Sequence, residues 1–269
     1  MKRVCKNHPG PPALRDYAQA YPDAAWEQMR DDNAQGGYQA AHDCRAQALH
    51  DQHDLCAYCE QKIAANAPLH CRVEHFHPKS DNTETHNWSL DWKNMLAVCD
   101  GGSSGSQEER KTHPLPANLS CDAHKDRMVQ IGRLPVACEG RLLNPLDIPS
   151  FPNLFTFDKG TGYFEPDGAS CADVEILGNA CGTTTELVNR TIAVLNLNCG
   201  RLAEKRRLLV VNIDQNKKVL RQKGFSPAEI PEKLVRRYFS AEWPEFFTTL
   251  RCCLGPAAEN YLKSISYKG

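Results

Sequence analysis

No apolar run in this 269-residue chain approaches the ~20 residues a membrane-spanning helix needs, so a membrane span is not expected. The start, Met1 to Leu14, is basic but lacks both an apolar core and a small-residue cleavage site. It does not read as a secretory signal, and the expected compartment is the cytoplasm. Net charge is nearly absent: 32 basic against 33 acidic side chains leave −1. No global field therefore draws the chain to a polyanion, and any basic surface is local or supplied by a partner. Histidine is missing after His124, all ten lying between His8 and that residue. A disulfide framework is not indicated either, because thirteen cysteines is an odd number and no export signal is present. Free thiols and metal ligation are the better reading.

What is present concentrates in the first half. Residues 1–22 carry His8-Pro9-Gly10-Pro11-Pro12 and read as an extended arm, a candidate for docking a partner. Between Asp23 and Asp54, Ala40, Ala41, Cys44, Ala48 and Leu49 recur at the spacing of a helix packed on one face. Cys56 and Cys59 form a knuckle, and Cys71 to Phe76 reads as a short strand ending at Pro78. Ser80–Asn87 is a polar loop, Met95–Val98 a second strand, and Gly101–Gln107 a flexible insertion. Ser120 is placed to cap a helix starting near Asp122. Beyond Leu142, Phe155–Phe157 and Tyr163–Phe164 suggest a hairpin. Thr184 or Thr185 caps a long helix, and Leu208–Leu220, Pro227–Phe239 and Ala257–Ile265 add further helical segments.

Four thiolates suit Zn²⁺, which is borderline-soft and tetrahedral, and an all-cysteine site is structural rather than catalytic. Cys56 and Cys59 supply one half. Cys99 and Cys121 supply the other if the intervening insertion loops out, with Cys71, Cys5 and Cys44 as competitors. Cys138, Cys171, Cys181, Cys199, Cys252 and Cys253 read as small buried hydrophobes.

Between these cysteines lies Val73-Glu74-His75-Phe76-His77-Pro78-Lys79-Ser80. Hydrolysis of a phosphodiester needs an activated water and neutralised phosphoryl oxygens. A neutral imidazole can take the water's proton, and Mg²⁺ or Mn²⁺ held by one or two carboxylates can meet the phosphate. Adjacent strand residues point to opposite faces, so bringing Glu74 and His75 together calls for a distortion before Pro78. Asn94 can orient an imidazole or hold the loop that presents it. Asp122, with His124 as the alternative, can complete the metal site. An acid–histidine pair alone is more often a surface accident, and His77 and His86 read equally well as solvated loop residues. The order of the elements raises the odds.

That order resembles the HNH, or ββα-metal, endonucleases. Their pattern runs acid-His-x-x-Pro, then Asn-Leu-x-x-x-Cys, then Cys-(His/Asn)-x-x-Lys. The counterparts here are Glu74 to Pro78, Asn94 to Cys99 and Cys121 to Lys125. More narrowly the chain is similar to the retron-associated HNH endonucleases, including the nuclease subunit of the Septu antiphage system. The Trp88/Trp92 pair, Cys99-Asp100-Gly101-Gly102, Asn144-Pro145 and Leu195–Asn198 carry that narrower likeness.

The resemblance implies an α+β fold: a zinc-stabilised ββα-metal core over residues 23–140 and a mostly helical accessory region over 141–269. It implies His75 as general base, Asn94 as its positioning partner and Glu74 as first metal ligand. Asp122 stands where the family has His or Asn, keeping an oxygen donor, and His124 is its rival. Structural Zn²⁺, catalytic Mg²⁺ or Mn²⁺, and a nucleic-acid substrate follow, DNA ahead of RNA. So do an ATPase partner in a defence complex and a retron reverse transcriptase with its DNA. The competing readings are a non-catalytic zinc-stabilised module that binds nucleic acid or a partner, and a redox or metal sensor using Cys56 and Cys59.

Overall fold

A computed structural model describes residues 1–63, 70–81 and 86–269. Proline at the first helical position pre-sets the backbone of helix α1 (Pro12–Ala20), whose Leu14 and Tyr17 are buried. Met1 and Val4 are buried in the same apolar cluster. Residues 1–22 are therefore not an extended arm: the Pro11-Pro12 pair that suggested one opens a helix. The helical stretch between Asp23 and Asp54 is two elements, α2 (Trp26–Asp31) and α3 (Gly37–Asp51), separated where Gly36 takes φ +87°. Ala40, Ala41, Cys44, Ala48 and Leu49 form the buried face of α3.

Strand β1 (Cys71–His75) pairs antiparallel with β2 (Met95–Cys99), from Cys71 opposite Cys99 to His75 opposite Met95. The register runs one-to-one through His75, so Glu74 and His75 lie in regular strand, and the chain bends only after it, at Phe76 and His77 before Pro78. All five residues of β2 are buried, as an uninterrupted apolar run requires when both faces are covered. Helix α3 lies against it, as does α5 (Cys121–Gln130), which follows α4 (Gln107–Thr112). Ser120 precedes α5 without capping it by its side chain; its hydroxyl accepts from Arg201 Nη2 instead, at 2.8 Å. The polar loop over Ser80–Asn87 lies partly outside the described residues.

Hairpin β3 (Phe155–Asp158) and β4 (Tyr163–Pro166) leads through α6 (Gly168–Ala172) to α7 (Thr184–Val194). Thr183, one residue before the expected cap, accepts from Glu186 N in a capping box. Helices α8 (Gly200–Gln222), α9 (Glu229–Phe239), α10 (Phe247–Leu254) and α11 (Pro256–Ser264) complete the chain. One apolar cluster runs from Met1 through β2 to Phe246, and a second joins Leu55 to the C-terminal helices. No helix among the described residues is long and apolar enough to cross a membrane.

Lys6 ties the N-terminal segment to the start of β2. Its ammonium donates to the Trp92 carbonyl at 2.6 Å and to that of Met95, and lies 3.6 Å above the Trp92 ring. Burial lowers its pKa from 10.5 to about 7, against the pull of Asp51. The penalty for burying this charge is full below pH 7 and is relieved as pH rises toward 10.5, because the unfolded chain then binds the extra proton. Stability should rise from pH 7 to 9 by up to about 1.4 kcal/mol per unit from this group. Urea titrations of Lys6→Met should lack that rise; parallel pH curves for variant and wild type would refute it.

Candidate active site and metal centre

Two local devices bring the four framework cysteines together. Ser120 N donates to Gly101 O at 3.0 Å, which closes the insertion at its base and loops it out. A Cβ on Gly101 would lie 2.2 Å from Ser120 O, so only glycine allows that approach. At the other side, Cys121 N donates to Leu195 O, and Asn196 Nδ2 donates to the Ala117 and Leu119 carbonyls. The sulfurs of Cys56, Cys59, Cys99 and Cys121 all fall within 4.8 Å of one another, and all four residues are buried. Nearest pairs are 3.7 and 3.8 Å apart. A tetrahedron with Zn–S bonds of ~2.3 Å has edges of ~3.8 Å, so the set can hold a metal ion and suits zinc. Cys5, Cys44 and Cys71 stand outside it.

Beside this cluster, β1 and α5 form the walls of a cleft lined by Glu74, His75, Lys79, Asp122, Lys125 and Asp126. Glu74 and His75 are both buried. Glu74 Oε1 pairs with the Lys125 ammonium and accepts from the Tyr58 hydroxyl at 3.3 Å. Tyr58 lies between the two knuckle cysteines, so the cluster that fixes the knuckle also aims a donor at the cleft. The Asp122 carboxyl lies within hydrogen-bonding reach of Glu74, and burial with that neighbouring charge pushes its pKa well up. Asp122 Oδ1 is buried without a hydrogen-bond partner. Two hard carboxylates with an orphaned oxygen between the walls are a donor set for Mg²⁺ or Mn²⁺.

His124 does not join them. Two helical positions on from Asp122 it faces another side of α5, where its Nδ1 lies 2.7 Å from the Val194 carbonyl.

The His75 ring packs edge-on against Trp26, with centroids 5.1 Å apart, and its Nε2 lies 3.1 Å from Ser89 O. A carbonyl only accepts, so Nε2 carries the proton and Nδ1 is the bare nitrogen. Burial lowers the pKa to about 4, leaving the imidazole neutral at pH 7. Asn94 does not touch that ring. Its Oδ1 accepts from His77 N at 2.7 Å, and its Nδ2 donates to the His77 and Trp88 carbonyls, each at 3.0 Å. It thus fastens the turn after His75, the second of the two roles open to it. His77 itself stacks on Trp88 at 4.0 Å and is held between Asp81 and Glu139. Asn94→Ala leaves these backbone groups unpartnered and should cost on the order of 2–4 kcal/mol. Chemical denaturation would detect it, and a loss below 0.5 kcal/mol would contradict the clamp.

No family model matches the chain. An Escherichia coli protein described as “Retron Ec83 putative HNH endonuclease” is 35% identical over 216 residues, spanning 80% of this chain and 81% of that protein. The chain belongs to the retron-associated HNH endonucleases.

The sequence reading of this endonuclease left Tyr58, Trp26 and Lys125 without a role. Lys125 had a visible signal, the final position of the Cys121–Lys125 pattern three residues after Asp122 and hence on the same helical face. Trp26 and Tyr58 had none, because their positions depend on how α2 and the knuckle pack.

Proposed function

We propose that this endonuclease hydrolyses phosphodiester bonds at the Glu74–His75–Asp122 cleft, with DNA the favoured substrate and RNA the second. The observation that carries the reading is that one cleft is lined by a neutral imidazole and two neighbouring carboxylates, one with an unpartnered oxygen. His75 Nδ1 takes the proton of the attacking water while Nε2 stays anchored on Ser89 O. Glu74 and Asp122 hold Mg²⁺ or Mn²⁺, which when bound neutralises the phosphate and the leaving oxygen. Asn94 keeps the turn after His75 in place. Cys56, Cys59, Cys99 and Cys121 hold Zn²⁺ as a structural ion. This assigns a ββα-metal core to β1, β2 and α5 within a nuclease region over residues 23–140, and an accessory region to 141–269.

Kinship with a retron-named protein supports work beside a retron reverse transcriptase and its DNA, and we extend this proposal to antiphage defence with an ATPase as partner. A nearly uncharged nuclease fits recruitment by such a partner, and thirteen cysteines without a disulfide among them fit the reducing cytoplasm. Plasmid and oligonucleotide cleavage by wild type and His75→Ala across divalent metals, with and without the partner, tests the reading. Equal cutting by both proteins would remove His75 from the chemistry, and no cutting under any condition would favour a non-catalytic zinc-stabilised binding module.

A further inference from the structure

Lys125 already places a cation in the cleft. It is 6% exposed, and its ammonium meets the Glu74 oxygen that also accepts from Tyr58. Asp122, one helical turn back, faces the same pair. The charges can be counted. Glu74 and Asp122, both ionised as a bound divalent ion would require, give −2, and Lys125 brings the buried group to −1. At the rim, exposed Asp126 and Arg72 offset one another, and Lys79 is engaged by Glu27 on α2. A divalent ion turns the buried group to +1, opposite to one phosphodiester. An ammonium and a hard divalent ion also compete for the same carboxylate lone pairs.

We propose that Lys125 is a counter-ion switch: it occupies Glu74 while no divalent ion is bound, and releases it to bind a substrate phosphate when the ion arrives. Metal and nucleic acid then favour each other's binding through one side chain, and the empty site is kept from capturing cations tightly. The inference rests on the reading of Glu74 and Asp122 as the divalent-ion site. Lys125 is a positioning residue for Glu74 without metal and touches substrate only with it.

Direct Mn²⁺ titration of the full, zinc-loaded chain, followed by electron paramagnetic resonance with and without a short oligonucleotide, tests this in a His75→Ala background that blocks turnover. Lys125→Met should bind Mn²⁺ roughly tenfold tighter than the parent without nucleic acid, and should lose the mutual tightening between Mn²⁺ and oligonucleotide. Lys125→Gln, which keeps a donor for Glu74 and drops the charge, should behave alike even if the methionine variant folds poorly. Lys125→Arg should stay near the parent. Unchanged or weaker Mn²⁺ binding in the neutral variants overturns the switch. Glu74→Gln and Asp122→Asn separate the two ideas: if neither weakens Mn²⁺ binding, the metal-site reading fails. If both weaken it while Lys125→Met changes nothing, only the switch fails.

Discussion

His75→Ala should lower the cleavage rate by roughly 10²–10⁴-fold, the usual contribution of a positioned general base, while zinc content and fold persist. The side chain packs edge-on against Trp26 and hydrogen-bonds to Ser89 O. Its loss should cost on the order of 1–3 kcal/mol, which a domain of ordinary stability survives. His75→Gln sharpens the test, because the amide can still donate toward Ser89 O but cannot take a proton. Both variants should fall in kcat with KM for the nucleic acid nearly unchanged, since neither removes a phosphate-binding charge. Stopped time courses at saturating Mn²⁺, read beside circular dichroism and zinc stoichiometry, decide the matter. A variant that folds, holds zinc and cuts at the wild-type rate would exclude His75 as the base.

How far the sequence reached this site depends on the range of the interactions involved. The strands, the knuckle and α5 were legible because a compact apolar run, as at Met95–Val98, and a two-residue cysteine spacing, as at Cys56–Cys59, are local signals. The α3 face was legible for the same reason. Pro11-Pro12 is compatible with an extended chain and with a helix start, and the burial of Met1, Val4 and Leu14 separates the two. Glu74 and His75 were expected to need a strand distortion to share a site. The strand is regular through His75 and bends only after it, before Pro78, and both residues line one cleft with Asp122 and Lys125 of α5. Asn94 could have served the ring or the loop, and its side-chain hydrogen bonds run to the loop, at His77 and Trp88. The Tyr58 contact and the Lys125 pair with Glu74 depend on packing between distant segments, which no local pattern records.

Stripping the Zn²⁺ proposed for the four cysteines should unfold the endonuclease, an outcome quite different from removing the divalent ion proposed for the cleft. Cys56 and Cys59 come from the knuckle, Cys99 from the end of β2 and Cys121 from the first residue of α5. No disulfide joins these three segments. Structural Zn²⁺ contributes an apparent ~10–16 kcal/mol in zinc-finger peptides, comparable to the ~5–15 kcal/mol net stability of whole domains. Without the ion, four buried thiols within van der Waals reach offer only weak S–H hydrogen bonds in exchange. Cys121→Ser should therefore lower the melting temperature by more than ~10 °C and lose stoichiometric zinc. The same loss should displace Tyr58 from Glu74 and Asp122 from the cleft, since each adjoins a ligating cysteine. Magnesium-selective depletion should instead abolish cleavage reversibly with the melting curve unchanged. A zinc-free Cys121→Ser protein that melts with the wild type would show that packing of β2 between α3 and α5 suffices on its own.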